Sequence, residues 1–218
     1  DMQIYGRGLK RRLPPMLEGD PRRLRMVYSL LFSLPGTPVL YYGEEIGMGE
    51  DLAAKGRLAV RTPMQWTSER NAGFSTAPPR RLVSRVVDGA FGPEFVNVAD
   101  QRRDPDSLWN FMRLLIQRYR ECPELGWGDV EILDQPHREV FAHRCTWDTA
   151  STLAVHNLSN DPVVVPLRLD DAGDGWTLED LLVDGGCELD SKGRAEITLD
   201  GYGHRWLRVR RPDERRLT

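Results

Sequence analysis

The chain has 218 residues, 40% of them hydrophobic and 29% charged, with a formal net charge of −3. That balance gives no electrostatic case for nucleic acid or an anionic membrane as a partner. No apolar run approaches the ~20 residues that a membrane-spanning helix needs. The length fits one large domain or two modest ones. The opening Asp1-Met2-Gln3-Ile4-Tyr5, followed by basic residues, has no signal-peptide pattern. Cys122, Cys145 and Cys187 stand far apart without metal-ligand spacing or a disulfide framework, and reduced thiols in a cytoplasmic protein are the simplest reading. The histidines at 137, 143, 156 and 204 form no pair at helical spacing, so neither a metal nor a cofactor is expected.

In chain order, residues 1–20 are basic, with Arg7, Lys10, Arg11 and Arg12, and Pro14-Pro15 argues against a long helix. An ordered loop with one helical turn is expected, its arginines solvated. Asp20-Pro21 is a helix start, an N-cap acceptor followed by proline at the first helical position. Leu24, Val27, Tyr28, Leu31 and Phe32 then form one apolar stripe, and Pro35-Gly36 ends the helix. Val39–Tyr42, between Pro38 and Gly43, reads as a short buried strand. Helix, turn and buried strand together suggest parallel α/β organisation. Residues 43–102 are rich in glycine, proline and polar groups, and so long a loop in a compact domain is usually functional. Asp104-Pro105 opens a second helix with a stripe of Leu108, Phe111, Met112, Leu115, Ile116 and Tyr119, ended by Pro123.

From Gly126 the texture changes to short β-branched runs between turns: residues 130–133, 140–146, 152–157, 163–169, 195–199 and 204–209. These argue an antiparallel sandwich of roughly 85 residues. The expected division is therefore α/β over residues 1–123, all-β over 124–211, and a charged tail over 212–218.

The chemistry concentrates in one stretch. Glu44 and Glu45 follow the expected strand, but adjacent carboxylates rarely straddle one scissile bond, which requires a separation of about 5–9 Å. One is expected to accept hydrogen bonds from loop N–H groups or an arginine, the other to lie near solvent. Arg57, Arg61 and Gln65 are the candidate substrate-side contacts, since guanidinium forks and amides hydrogen-bond sugar hydroxyls. Met64 and Trp66 are expected to pack the loop. No nucleophilic serine or cysteine has a base nearby, and the glycines at 43, 47 and 49 match no phosphate-binding loop.

The run Ser33-Leu34-Pro35-Gly36-Thr37-Pro38-Val39-Leu40-Tyr41-Tyr42-Gly43-Glu44-Glu45-Ile46-Gly47-Met48, with Arg61-Thr62-Pro63-Met64-Gln65-Trp66, closely resembles the α-amylase family, glycoside hydrolase family 13. The hexapeptide resembles the α-glucosidase and trehalose synthase branch, and Asn71-Ala72-Gly73-Phe74-Ser75 and Val96-Asn97-Val98 are most similar to trehalose synthase and its near relatives. That resemblance implies the C-terminal end of a (β/α)₈ barrel, with last strand at 39–42 and last helix at 104–122, followed by a small β-sandwich. It implies that Arg61 and Arg57 lie near the leaving or acceptor sugar. Relatives often carry Asp after the first of these arginines, where Leu58 stands here. It also implies that the three catalytic carboxylates lie on earlier strands, and this chain carries none of them. The expectation is therefore a C-terminal part of a retaining enzyme for α-glucosides such as maltose or trehalose, inactive alone, whose partner is the missing N-terminal barrel portion. Oligomerisation is left open. The alternative is a non-catalytic carbohydrate-binding or subunit-interface sandwich, with Trp127, Trp147, Trp176 and Trp206 as platforms.

Overall fold

The structure is a computed structural model that describes residues 10–212. Arg7 and residues 213–218 of the expected tail lie outside the described residues. The elements in chain order are α1 (Leu13–Met16), α2 (Pro21–Ser33), α3 (Val98–Gln101), α4 (Leu108–Glu121) and α5 (Pro123–Trp127). The strands β1 (Asp129–Ile132), β2 (Val140–Trp147), β3 (Ala150–Asn157), β4 (Val163–Arg168), β5 (Thr177–Asp180), β6 (Gly186–Glu188), β7 (Arg194–Leu199) and β8 (His204–Arg210) follow. The chain forms two compact units, divided inside α2 and α4. One takes the chain up to Arg25 together with Val39–Arg113; the other takes Met26–Pro38 together with Leu114 onward.

In the first unit the local signals act as capping chemistry dictates. Asp20 accepts hydrogen bonds from the backbone N–H groups of Arg22 and Arg23, which caps α2. Pro14 and Pro15 start α1, because proline in a first turn gives up only an N–H that has no helical partner anyway. The helix start expected at Asp104-Pro105 moves to Leu108. Asp104–Ser107 is spent on a turn, and the Ser107 hydroxyl accepts the N–H of Asn110 at 3.2 Å, the geometry of an N-cap. Ile116, expected on the buried stripe, is exposed, while Phe111, Met112 and Leu115 are buried. Residues 39–42 are not a strand. Val39 is 83% exposed, and Tyr41 and Tyr42 are also exposed. A barrel strand is held by ladders on both sides; among the described residues none runs beside this segment, so its sequence propensity has nothing to pair with.

The second unit is built on a six-stranded antiparallel sheet in the order β1-β2-β3-β8-β5-β6 and a two-stranded sheet β4-β7. The two sheets share one core, in which Leu153, Val155 and Leu207 of the larger pack with Val163, Val165, Leu167 and Leu199 of the smaller. β4 shows the alternation of a half-buried strand. β3 does not, because its second face is covered as well. Thr152 and His156 on that face meet α5 and α2 through Glu124 and Ser29. The short strands β5 and β6 carry too few β-branched residues to be legible in sequence, and β5 is held by pairing with β8. At the β7–β8 connection a Cβ on Gly201 would lie 1.9 Å from the backbone oxygen of Asn160. Gly201→Ala is therefore expected to destabilise this unit by about 1–3 kcal/mol, read as a lower urea midpoint; an unchanged midpoint would remove that close approach from the account.

Candidate functional site

The site grows from one buried guanidinium. Arg12 is 2% exposed, contrary to the solvated state expected for the basic opening. Its Nη1 donates to Tyr42 O at 2.8 Å and to Glu44 Oε1 at 3.3 Å, and its Nη2 donates to Val60 O at 2.8 Å. The guanidinium carbon lies 5.3 Å from the ring centres of both Tyr41 and Tyr42, within cation–π range. Glu50 holds the same region from below. It accepts from Arg11 Nε at 2.6 Å and from the Arg12 backbone N–H at 3.0 Å. A single planar fork thus ties the end of the 39–42 segment to the start of the Arg61 loop, a geometry that lysine does not reproduce.

Both adjacent acids are engaged within the fold, where one was expected to lie near solvent. Glu45 accepts the N–H of Gly43 at 2.7 Å, and Glu44 faces Arg12. They sit in a tight 3₁₀ turn, Glu44–Ile46, flanked by Gly43 and Gly47 at φ 86° and 76°, values that only glycine adopts without strain. The turn seats Ile46 and Met48 with Met64 in a small core.

Of the three expected contact residues, only Arg61 lines an open cavity beside the Glu44–Ile46 turn. That cavity has a volume of about 760 Å³ and is walled by Tyr42, Glu45, Arg61, Met64, Trp66 and Phe74 among others. Burial, with Tyr41 beside it, pushes the Tyr42 phenol up in pKa. That phenol donates to Thr62 O at 2.6 Å, so the residue next to Arg61 is fixed. Arg57 is exposed on the 3₁₀ turn Gly56–Val60 and does not line the cavity. Gln65 is corrected outright. Its side chain is fully buried, and its Nε2 donates to Phe91 O at 3.1 Å and to Val96 O. It clamps the loop, because a buried amide must find backbone partners. Trp66, expected to pack inward, is 49% exposed on the cavity.

Among the described residues Glu45 is the one carboxylate that lines this cavity, and it is engaged by Gly43. A glycosidase pair of acid and nucleophile is therefore not assembled from these residues. The arrangement offers a cation, aromatic faces and fixed hydroxyls, which is binding chemistry. No group of three His, Cys, Asp or Glu among the described residues is arranged to hold a metal ion.

The second unit carries polar chemistry of a different kind, all of it internal. His156 is fully buried, with Nε2 2.9 Å from Ser29 Oγ, and Trp206 Nε1 donates to the same hydroxyl at 3.0 Å. His143 Nε2 lies 2.7 Å from Ser33 O. The rings of His143, His156 and His204 stack at 6.5 and 6.2 Å. Burial holds both His143 and His156 below the usual imidazole range, and His156 far below it. Glu124, also fully buried, accepts from Thr152 Oγ1 at 2.5 Å and lies 3.7 Å from Arg208. Burial pushes the Cys122 and Cys145 thiols up to about 11, so neither is a ready nucleophile. Of the tryptophans considered as platforms, Trp206 is buried and Trp176 packs against the core, while Trp127 and Trp147 are exposed.

A helical unit with a long ordered loop around a cation-and-aromatic cavity is joined in sequence to an antiparallel β unit. Family comparison makes that specific. The family model described as "Alpha amylase, catalytic domain" matches residues 10–128, and the model "Sucrose hydrolase-like, C-terminal domain" matches residues 150–208. The chain belongs to the α-amylase family. It is 39% identical over 209 residues to the trehalose synthase/amylase TreS of Mycobacterium tuberculosis, covering 93% of this chain and 34% of that protein. It is 42% identical over 154 residues to a trehalose synthase of Thermus thermophilus, covering 70% of this chain and 16% of that one. The crystal structure of an α-amylase from H. orenii superposes with a TM-score of 0.70 at 27% identity, covering 92% of this chain and 38% of that one. The fold is thus part of a (β/α)₈ barrel with an antiparallel β domain after it. The chain spans about a third of the length of the mycobacterial relative.

Proposed function

We propose that this chain forms the acceptor-side wall of an α-glucoside site in a longer retaining enzyme, one that interconverts maltose and trehalose or hydrolyses short α-glucosides. The observation that carries the reading is the cavity at Arg61, which gathers a cation and exposed aromatic faces around a single carboxylate already held by its own backbone. The trehalose synthase names of the relatives support the substrate class. In such an enzyme a carboxylate attacks the anomeric carbon, a glutamic acid protonates the leaving oxygen, and a glucosyl-enzyme forms. Those carboxylates come from outside these 218 residues. What this chain supplies is Arg61, on a backbone fixed at Thr62 and Val60 to either side, and a wall that limits water entry.

The test is product analysis with the longer protein on maltose and on trehalose. Turnover of either is expected, and Arg61→Ala should lower kcat/KM about 10- to 100-fold, the loss of a charge-assisted hydrogen bond to a sugar hydroxyl. Failure to turn over either disaccharide would contradict the reading.

A further inference from the structure

The loop after Trp66 contains a backbone feature that packing alone does not require. Asn71, Ala72 and Gly73 stand in succession in the left-handed region, at φ 55°, 58° and 67°. Only the third is glycine. Asparagine tolerates that region, but alanine there carries strain on the order of 1–2 kcal/mol, and such strain persists only where the surroundings hold it. Here they do. Ala72 O accepts the N–H groups of both Trp66 and Thr67, at 2.9 and 3.1 Å, and Ala72 N–H donates to Glu69 O at 2.8 Å. Buried Asn71 donates through Nδ2 to Ser75 O and to Ala77 O, each at 2.7 Å. The turn therefore locks the backbone at Trp66 directly to the backbone around Phe74. Both rings, 49% and 53% exposed, line the same cavity as Arg61.

We propose that Trp66 and Phe74 form the apolar wall on which the sugar ring beside Arg61 packs, and that the left-handed turn Asn71–Gly73 positions Phe74. The proposal rests on the α-glucoside reading and deepens it. The ligand is a neutral α-linked disaccharide. Arg61 takes its hydroxyls, and the two rings take the apolar face of the pyranose. The hydrogen bonds of Asn71 and Ala72 hold the strained turn, and a ring carried in a fixed direction lowers the ordering cost of binding.

The experiment is steady-state kinetics of the longer enzyme with maltose, comparing wild type, Phe74→Ala, Phe74→Tyr and Asn71→Ala. Phe74→Ala should raise KM about tenfold with kcat within about twofold, as loss of packing made equally in ground and transition states predicts. Phe74→Tyr should restore KM. Asn71→Ala, which removes both carbonyl anchors but leaves Phe74 in the sequence, should raise KM in the same way. An unchanged KM in Phe74→Ala, with maltose still turned over, overturns the aromatic wall and leaves the α-glucoside reading standing. A loss in Phe74→Ala that falls on kcat, or that tyrosine does not rescue, also overturns it. Absence of any turnover by wild type overturns both.

Discussion

Arg12→Ala is expected to lower the stability of the first unit by on the order of 3–5 kcal/mol, the range for breaking a buried, hydrogen-bonded ion pair. The guanidinium is nearly inaccessible and serves Tyr42 O, Val60 O and Glu44 at once. Alanine removes one donor from each of two carbonyls and a carboxylate and opens a void under Tyr41 and Tyr42. Arg12→Lys should recover only part of the loss, since a point charge cannot reach two carbonyls and a carboxylate from one planar fork. Because the same fork fixes the backbone before Arg61, sugar binding should weaken with stability. Urea unfolding followed by circular dichroism reads the first effect; a midpoint equal to wild type would show that Arg12 is not the tie between the two segments.

The second large effect is acid destabilisation of the β-rich unit. In the unfolded chain His143 and His156 take up protons near pH 6.5. In the folded protein burial keeps both neutral to lower pH, and each has a ring Nδ1 with no partner to receive a new charge. A cation at His156 would also face the stacked rings of His143 and His204. Below pH 6.5 the unfolded state thus binds more protons than the folded one. Stability, complete above that pH, falls by up to ~1.4 kcal/mol per pH unit for each histidine until its folded-state pKa is reached. Between pH 7.5 and 5.5 the combined loss should be on the order of 2 kcal/mol, visible as a falling urea midpoint. A flat midpoint over that interval would mean that the two imidazoles take up protons in the fold as they do in the unfolded chain.

Sequence and structure agree where the signal is local. Asp20-Pro21 caps α2 because a side-chain oxygen two residues away is all that the cap requires. The β-branched runs of the second unit became β1, β2, β3, β4, β7 and β8 for the same reason, with turn residues on either side. Glu44 and Glu45 were legible from their adjacency alone. What escaped reading depends on partners distant in sequence. Arg12 looked like any basic surface residue until Tyr42 and Val60 closed around it, 30 and 48 positions away. Ser29, off the apolar stripe of α2 and yet fully buried, is explained only by His156 and Trp206. Gln65 reads as a sugar contact on the strength of its neighbours, but its Nε2 donates inward to the backbone oxygens of Phe91 and Val96. The 39–42 segment has the composition of a strand, but a strand is a property of a ladder rather than of four residues. The left-handed Asn71-Ala72 pair had no signal beyond Asn and Gly at a turn, since alanine gives no hint of positive φ.

The central claim is that these residues bind an α-glucoside without supplying its catalytic carboxylates. The most direct measurement is release of the aryl group from an aryl α-glucoside by the purified 218-residue chain alone, against a catalytically competent α-glucosidase as positive control. No release above the uncatalysed rate is the predicted result. Turnover by the chain itself, abolished by changing Glu44 or Glu45 to glutamine, would contradict the account and return those two acids to the chemistry.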